Sequence, residues 1–172
     1  FIDASGDGEL IAMTGCDYQL GRESDGYCQP MTTCFRLSGV DLDKFNEEKP
    51  ELQKKYNELQ AEGKILNPRE NILVFRTPNK GVLHFNTTRV VKLDPTSAID
   101  ISKAEIIARK QVYEVYEVMK KHADGLENSF LMMTAAEIGV RESRMIVGEH
   151  ILTQREVEAE SPVGLTASAR AV

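Results

Sequence analysis

Apolar residues fall along this chain in short clusters of differing spacing. The clearest cluster is Ala104, Ile107, Ala108, Val112, Val115 and Met119, whose three- and four-residue intervals predict one helical face. Ser102-Lys103-Ala104-Glu105 has the form of a capping box, so the helix is expected to start there, run to about residue 123 and stop at Asp124-Gly125. Leu42, Phe45, Leu52, Tyr56 and Leu59 keep a rougher helical spacing inside a charged segment that also contains Pro50. Proline is best tolerated in a first turn, so this segment predicts a short turn and then a helix from near Pro50, with Gly63 just past its end.

Other apolar runs are too short for helices and read as strands: residues 31–37, 72–75, 82–91, 130–135 and 145–152. Pro78-Asn79-Lys80-Gly81 between the second and third is a hairpin-like turn. Phe1-Ile2 reads as the end of a buried strand entering a glycine-bearing turn, followed by a short helical patch over 10–13. Thr153 is placed to cap a short helix through Glu158, and from Ser161 the composition becomes small and loop-like. Helices and strands alternate irregularly, which predicts an α+β fold: a mixed or antiparallel sheet covered by one long helix.

Composition narrows the function. A net charge of −6, from 21 basic and 27 acidic residues, gives no electrostatic footprint for nucleic acid. No apolar run approaches the ~20 residues of a membrane span, so a soluble, cytoplasmic chain is expected. Cys16, Cys28 and Cys34 form no CxxC pair, and His84, His122 and His150 are scattered. They predict reduced thiols and no metal site.

Three groups could carry chemistry. In Asp3-Ala4-Ser5-Gly6-Asp7-Gly8 the backbone N–H groups could face a phosphate or ribose, or the segment could be a plain turn. In His84-Phe85-Asn86-Thr87-Thr88-Arg89, strand periodicity puts His84, Asn86 and Thr88 on one face, lining a pocket or facing solvent. Arg141 and Arg144, near Gly139, Gly148 and His150, could clamp a carboxylate or phosphate, or fix a turn through an Arg–Glu network.

Taken in order, five segments make a more specific pattern: Phe-Ile-Asp-Ala-Ser-Gly-Asp-Gly-Glu-Leu, Gly-Arg-Glu-Ser-Asp-Gly-Tyr-Cys-Gln-Pro-Met-Thr, His-Phe-Asn-Thr-Thr-Arg-Val, Ala-Glu-Ile-Ile-Ala-Arg-Lys-Gln, and Ile-Gly-Val-Arg-Glu-Ser-Arg-Met-Ile-Val-Gly-Glu-His-Ile-Leu-Thr. The series resembles the FAD-dependent oxidoreductases, bacterial flavoproteins with a glutathione-reductase-type FAD domain, over residues 1 to about 153. The family's GxGxxG fingerprint and its later glycine-rich FAD segment have no counterpart here. The resemblance therefore implies a central piece of such a chain. Residues 1–30 would be the end of an FAD-domain strand and its connection, 31–153 the substrate or cap domain, and 154–172 a tail returning toward the FAD domain.

By the same resemblance, Asp3, Ala4, Ser5, Gly6 and Asp7 would approach FAD, with Ser5 standing where the family usually has Thr. Gln29, Asn86 and Arg89 would contact substrate, and His84, Arg141, Arg144 and His150 would be the catalytic candidates. The implied role is to orient a small substrate over the flavin in the intact enzyme, an anionic one to judge from the arginines. Without the phosphate-cradling loop, this chain alone is expected to hold little FAD and to be inactive. Its expected partners are that substrate and the FAD-binding segments of the same protein, with self-association through exposed strand edges. Two alternatives stand beside this reading: a non-catalytic α+β interaction domain that binds no FAD, and a binding module for another ligand.

Overall fold

The computed structural model describes residues 1–150 and 153–158. The chain divides into two compact units, residues 1–28 with 142–172, and residues 29–141. The sequence suggested changes near residues 30 and 153; the units change at 28/29 and 141/142.

The first unit contains α1 (Glu9–Met13), β1 (Tyr18–Leu20), β6 (Arg144–Ile146) and α4 (Gln154–Glu158). β1 and β6 pair antiparallel, with Tyr18 opposite Ile146 and Leu20 opposite Arg144. Phe1 and Ile2 belong to no strand and are exposed. The buried strand end expected there is not formed, since these two residues pair with nothing that would bury them. The expected strand over 145–152 is realised as three residues, and its last two lie outside the described residues.

The second unit is built on a four-stranded antiparallel sheet of order β3-β4-β2-β5. Its strands are β2 (Phe35–Ser38), β3 (Val74–Arg76), β4 (Leu83–Phe85) and β5 (Phe130–Thr134). The hairpin between β3 and β4 forms where the turn residues placed it. Thr77 Oγ1 reaches Val82 O at 3.0 Å and Gly81 takes a φ of +74°, a conformation that favours glycine. Two long helices, α2 (Leu42–Ala61) and α3 (Ala98–His122), pack on this sheet.

Both helices start earlier than expected. Asp41 caps α2 through Lys44 N, and the helix runs through Pro50 without a break. Pro50 offers no N–H to the Asn46 carbonyl, but both residues are exposed, so water can serve that carbonyl. α3 is capped by Ser97, not Ser102, whose hydroxyl instead donates to Ala98 O at 2.8 Å. On its buried face Ala104, Ala108, Val112, Val115 and Met119 are joined by Gln111 and Tyr116, whereas Ile107 is 41% exposed.

The strands alternate by residue. Phe35, Leu37, Leu83 and Phe85 point to the helices, where the Phe35 and Phe85 rings stack 5.0 Å apart and Phe45 of α2 meets Phe85 edge-on. Met31, Val90, Ala104, Ala108 and Ile138 make a smaller core beside it. The architecture is therefore α+β, antiparallel, with long helical cover on one face.

Candidate functional site

The other face of the four-stranded sheet carries the alternate residues. The register aligns Phe75, His84, Arg36 and Met133 in one row across all four strands. Asn86 and Cys34 follow on the same side of β4 and β2. Phe75 is 51% exposed and Met133 44%, while Arg36, His84, Asn86 and Cys34 are half-buried. An apolar margin thus flanks a polar middle.

Two atoms in that middle are shielded from solvent and have no hydrogen-bond partner: His84 Nδ1 and Asn86 Oδ1. Such groups normally find partners, so each is unmet hydrogen-bonding capacity under this face. Burial, helped by the Arg36 charge, pulls the His84 imidazole below its ordinary pKa. Burial raises the Cys34 thiol, and Arg141 partly offsets this. Thr88, expected beside His84, is instead fully buried and locked to Thr33 by two hydrogen bonds, Thr33 N donating at 2.8 Å and the Thr88 hydroxyl donating to Thr33 O at 3.0 Å.

Arg89 lies just beyond β4. Its Nη1 is 2.8 Å from Glu70 Oε1, and its peptide is held by Gln111. Arg69 escaped the sequence reading, because it sits in an aperiodic segment between α2 and β3. Burial lowers its pKa first, and the charges of Arg89 and Arg141 add to this. Gln29 is exposed at the start of the second unit.

The two arginines of the expected clamp belong to different units: Arg141 to the second and Arg144 to the first. Arg144 Nη1 donates to Asp7 O at 3.1 Å, and its guanidinium lies 5.6 Å from the centre of the Tyr18 ring. It ties β6 to the N-terminal loop. His150 is half-buried in the same unit.

The segment from Asp3 to Asp7 is a self-capped turn. Asp3 accepts from Ser5 N at 2.9 Å and Ile11 N at 3.0 Å, and Ser5 Oγ accepts from Glu9 N at 3.0 Å. Hydrogen bonds from Ser5, and then from Ile11, hold the Asp3 carboxyl below the usual range. A phosphate at such a turn is held by unspent backbone N–H donors, and Ser5 N is already spent on Asp3.

Among the described residues no disulfide forms, and no group of three or more His, Cys, Asp or Glu could hold a metal ion. No helix among them is long and apolar enough to cross a membrane.

A helix-backed antiparallel sheet with a polar, half-buried outer face defines an α+β domain. Over residues 1–167 the chain matches the family described as FAD dependent oxidoreductase, and it belongs to that family. No curated protein and no solved structure matches it significantly.

Proposed function

We propose that residues 29–141 form the substrate-binding region of an FAD-dependent oxidoreductase, with the outer face of the four-stranded sheet turned toward the substrate. The observation that carries this reading is the pair of shielded, unpartnered atoms, His84 Nδ1 and Asn86 Oδ1, between exposed Phe75 and Met133. An apolar margin with a few convergent polar atoms suits a small organic substrate. His84, kept neutral by burial and by Arg36, can donate from one ring nitrogen and accept at the other. Asn86 can accept a hydrogen bond and so fix the substrate's orientation. In such enzymes the flavin supplies the redox chemistry; this chain's residues bind, orient and hold a proton.

The test is substrate-driven bleaching of the flavin band in the intact enzyme, comparing wild type with His84→Gln and Asn86→Ala. Turnover depressed at unchanged melting temperature supports the reading. Turnover unchanged, or stability and activity falling together, removes it.

A second reading, that the isolated chain is an α+β module without FAD, is favoured by the self-capped loop at Asp3 and Ser5. A fluorescence titration of the chain with FAD decides it. Quenched emission would defeat this reading, and an unquenched titration would sustain it.

A further inference from the structure

The antiparallel register brings four chain segments to one end of the sheet in the second unit. Val74, Phe85, Phe35 and Thr134 are aligned there, at the start of β3, the end of β4, the start of β2 and the end of β5. Each neighbouring segment is then pinned. Met31 pairs with Val90 and Thr32 with Gly139, so the chain at Arg89 and the chain leading to Arg141 hang from adjacent residues. Asn67 donates to Thr87 O at 2.8 Å and accepts from Arg69 N at 3.3 Å, which fastens Arg69 to the same end. Three arginines are thus anchored at this end of the sheet from positions far apart in sequence.

The Arg69 guanidinium feels the charges of both Arg89 and Arg141, and like charges gathered at one place oppose folding unless something neutralises them. Glu70, exposed, meets one of the three, at Arg89. The Nε atoms of Arg69 and Arg89 are shielded from solvent and have no hydrogen-bond partner. An arginine that keeps Nε–H unspent can offer it with an Nη–H as a two-pronged donor, the geometry that carboxylate and phosphate oxygens accept.

We propose that Arg69, Arg89 and Arg141 form a binding site for a small oxyanion, a carboxylate or a phosphate, at this end of the sheet. Its assignment to a group on the substrate rests on the reading given above; the anion site itself does not. Glu70 occupies part of the site as an internal competitor, so an incoming anion works against its charge as well as against water.

The test is calorimetric titration of the chain with succinate and, separately, with inorganic phosphate, in low-salt, chloride-free buffer. Saturable binding of at least one is expected. Arg69→Met and Arg141→Met should each weaken it by about tenfold or more, as the loss of a charge-assisted hydrogen bond requires. Arg141 is exposed, so its variant tests the site without endangering the fold. Glu70→Gln should tighten binding several-fold, an effect that a merely structural arginine cluster would not produce.

No saturable binding of either anion, or wild-type affinity in both arginine variants, overturns the site. Preference for phosphate with displacement by FAD assigns the anion to the cofactor, and preference for succinate undisturbed by FAD assigns it to a carboxylate substrate. Intact turnover in the His84 and Asn86 variants would defeat the substrate-face reading while leaving anion binding standing. Absent anion binding leaves that other test unaffected.

Discussion

Gln111 brackets the peptide of Arg89 from both sides: its Oε1 accepts from Arg89 N at 2.9 Å and its Nε2 donates to Arg89 O at 2.9 Å. A buried polar residue on the apolar face of α3 is thereby satisfied by the backbone of Arg89, which lies between the Thr88–Thr33 and Val90–Met31 pairings. Gln111→Leu keeps the volume and strands both backbone groups. It should cost about 2–4 kcal/mol, read as a lower urea midpoint with an unchanged slope. A loss within error of zero would show that water replaces the bracket.

His84 should titrate below 6.5, because burial first and Arg36 second disfavour its charged form. The sign follows directly. As pH falls, the unfolded chain takes up this proton before the folded one does. His84's stabilising effect is therefore complete above pH 6.5 and is lost as pH drops from there through the folded value. An NMR titration of the imidazole checks this, and Arg36→Gln should move the midpoint partway back up. A midpoint at or above the ordinary value would contradict it.

Phe85 has the largest expected effect in the core. It is fully buried, stacked on Phe35 at an interplanar angle of 9° and met edge-on by Phe45. Phe85→Ala should cost about 3–5 kcal/mol from lost burial and the cavity left behind. Phe85→Leu refills much of that space and should cost well under half as much. Thermal melts of both variants give the comparison.

Gly125 and Gly63 separate backbone strain from steric clash. Both hold a positive φ, +87° and +71°. A Cβ on Gly125 would sit 2.7 Å from Asp41 O and 2.8 Å from Phe45 N, backbone atoms at the start of α2, whereas one on Gly63 would meet nothing within 4 Å. Gly63→Ala should cost about 1–2 kcal/mol, the left-handed penalty alone. Gly125→Ala should cost clearly more, and equal losses in chemical denaturation would show that the α2 start yields easily.

Where the signal was local, the sequence carried it. The Pro78–Gly81 turn, the strand over 130–134 and most of the buried face of α3 needed only neighbouring residues to be read. Where two local signals competed, the reading slipped. Pro50 looked like a helix start because proline usually is, but Asp41 caps first and an exposed position tolerates the missing N–H. Ser102 fits a capping box as well as Ser97 fits a cap, but the Ser97 side chain is the one that accepts from a helix N–H, that of Asp100, and Ile101 of the added turn packs against the smaller core. Arg69 was beyond reach for another reason. Its place at the same end of the sheet as Arg89 comes from the Asn67 contacts with Thr87 and Arg69 itself, which no short window of sequence contains.

The order in which the two units can form follows from the pairing of Tyr18 with Ile146. On a ribosome the second unit is contiguous and its last residue emerges before the first unit's second strand exists. The first unit must wait. Once the second has folded, however, the Thr32–Gly139 bridge already holds its two ends side by side. The loop that β1 and β6 must close is then no longer a chain of more than a hundred residues but two short connections, residues 21–31 and 140–143, flanking a finished structure, and its closure entropy falls accordingly. Nascent first-unit residues should stay protease-sensitive until that moment, while the sheet that bears the arginines is already complete.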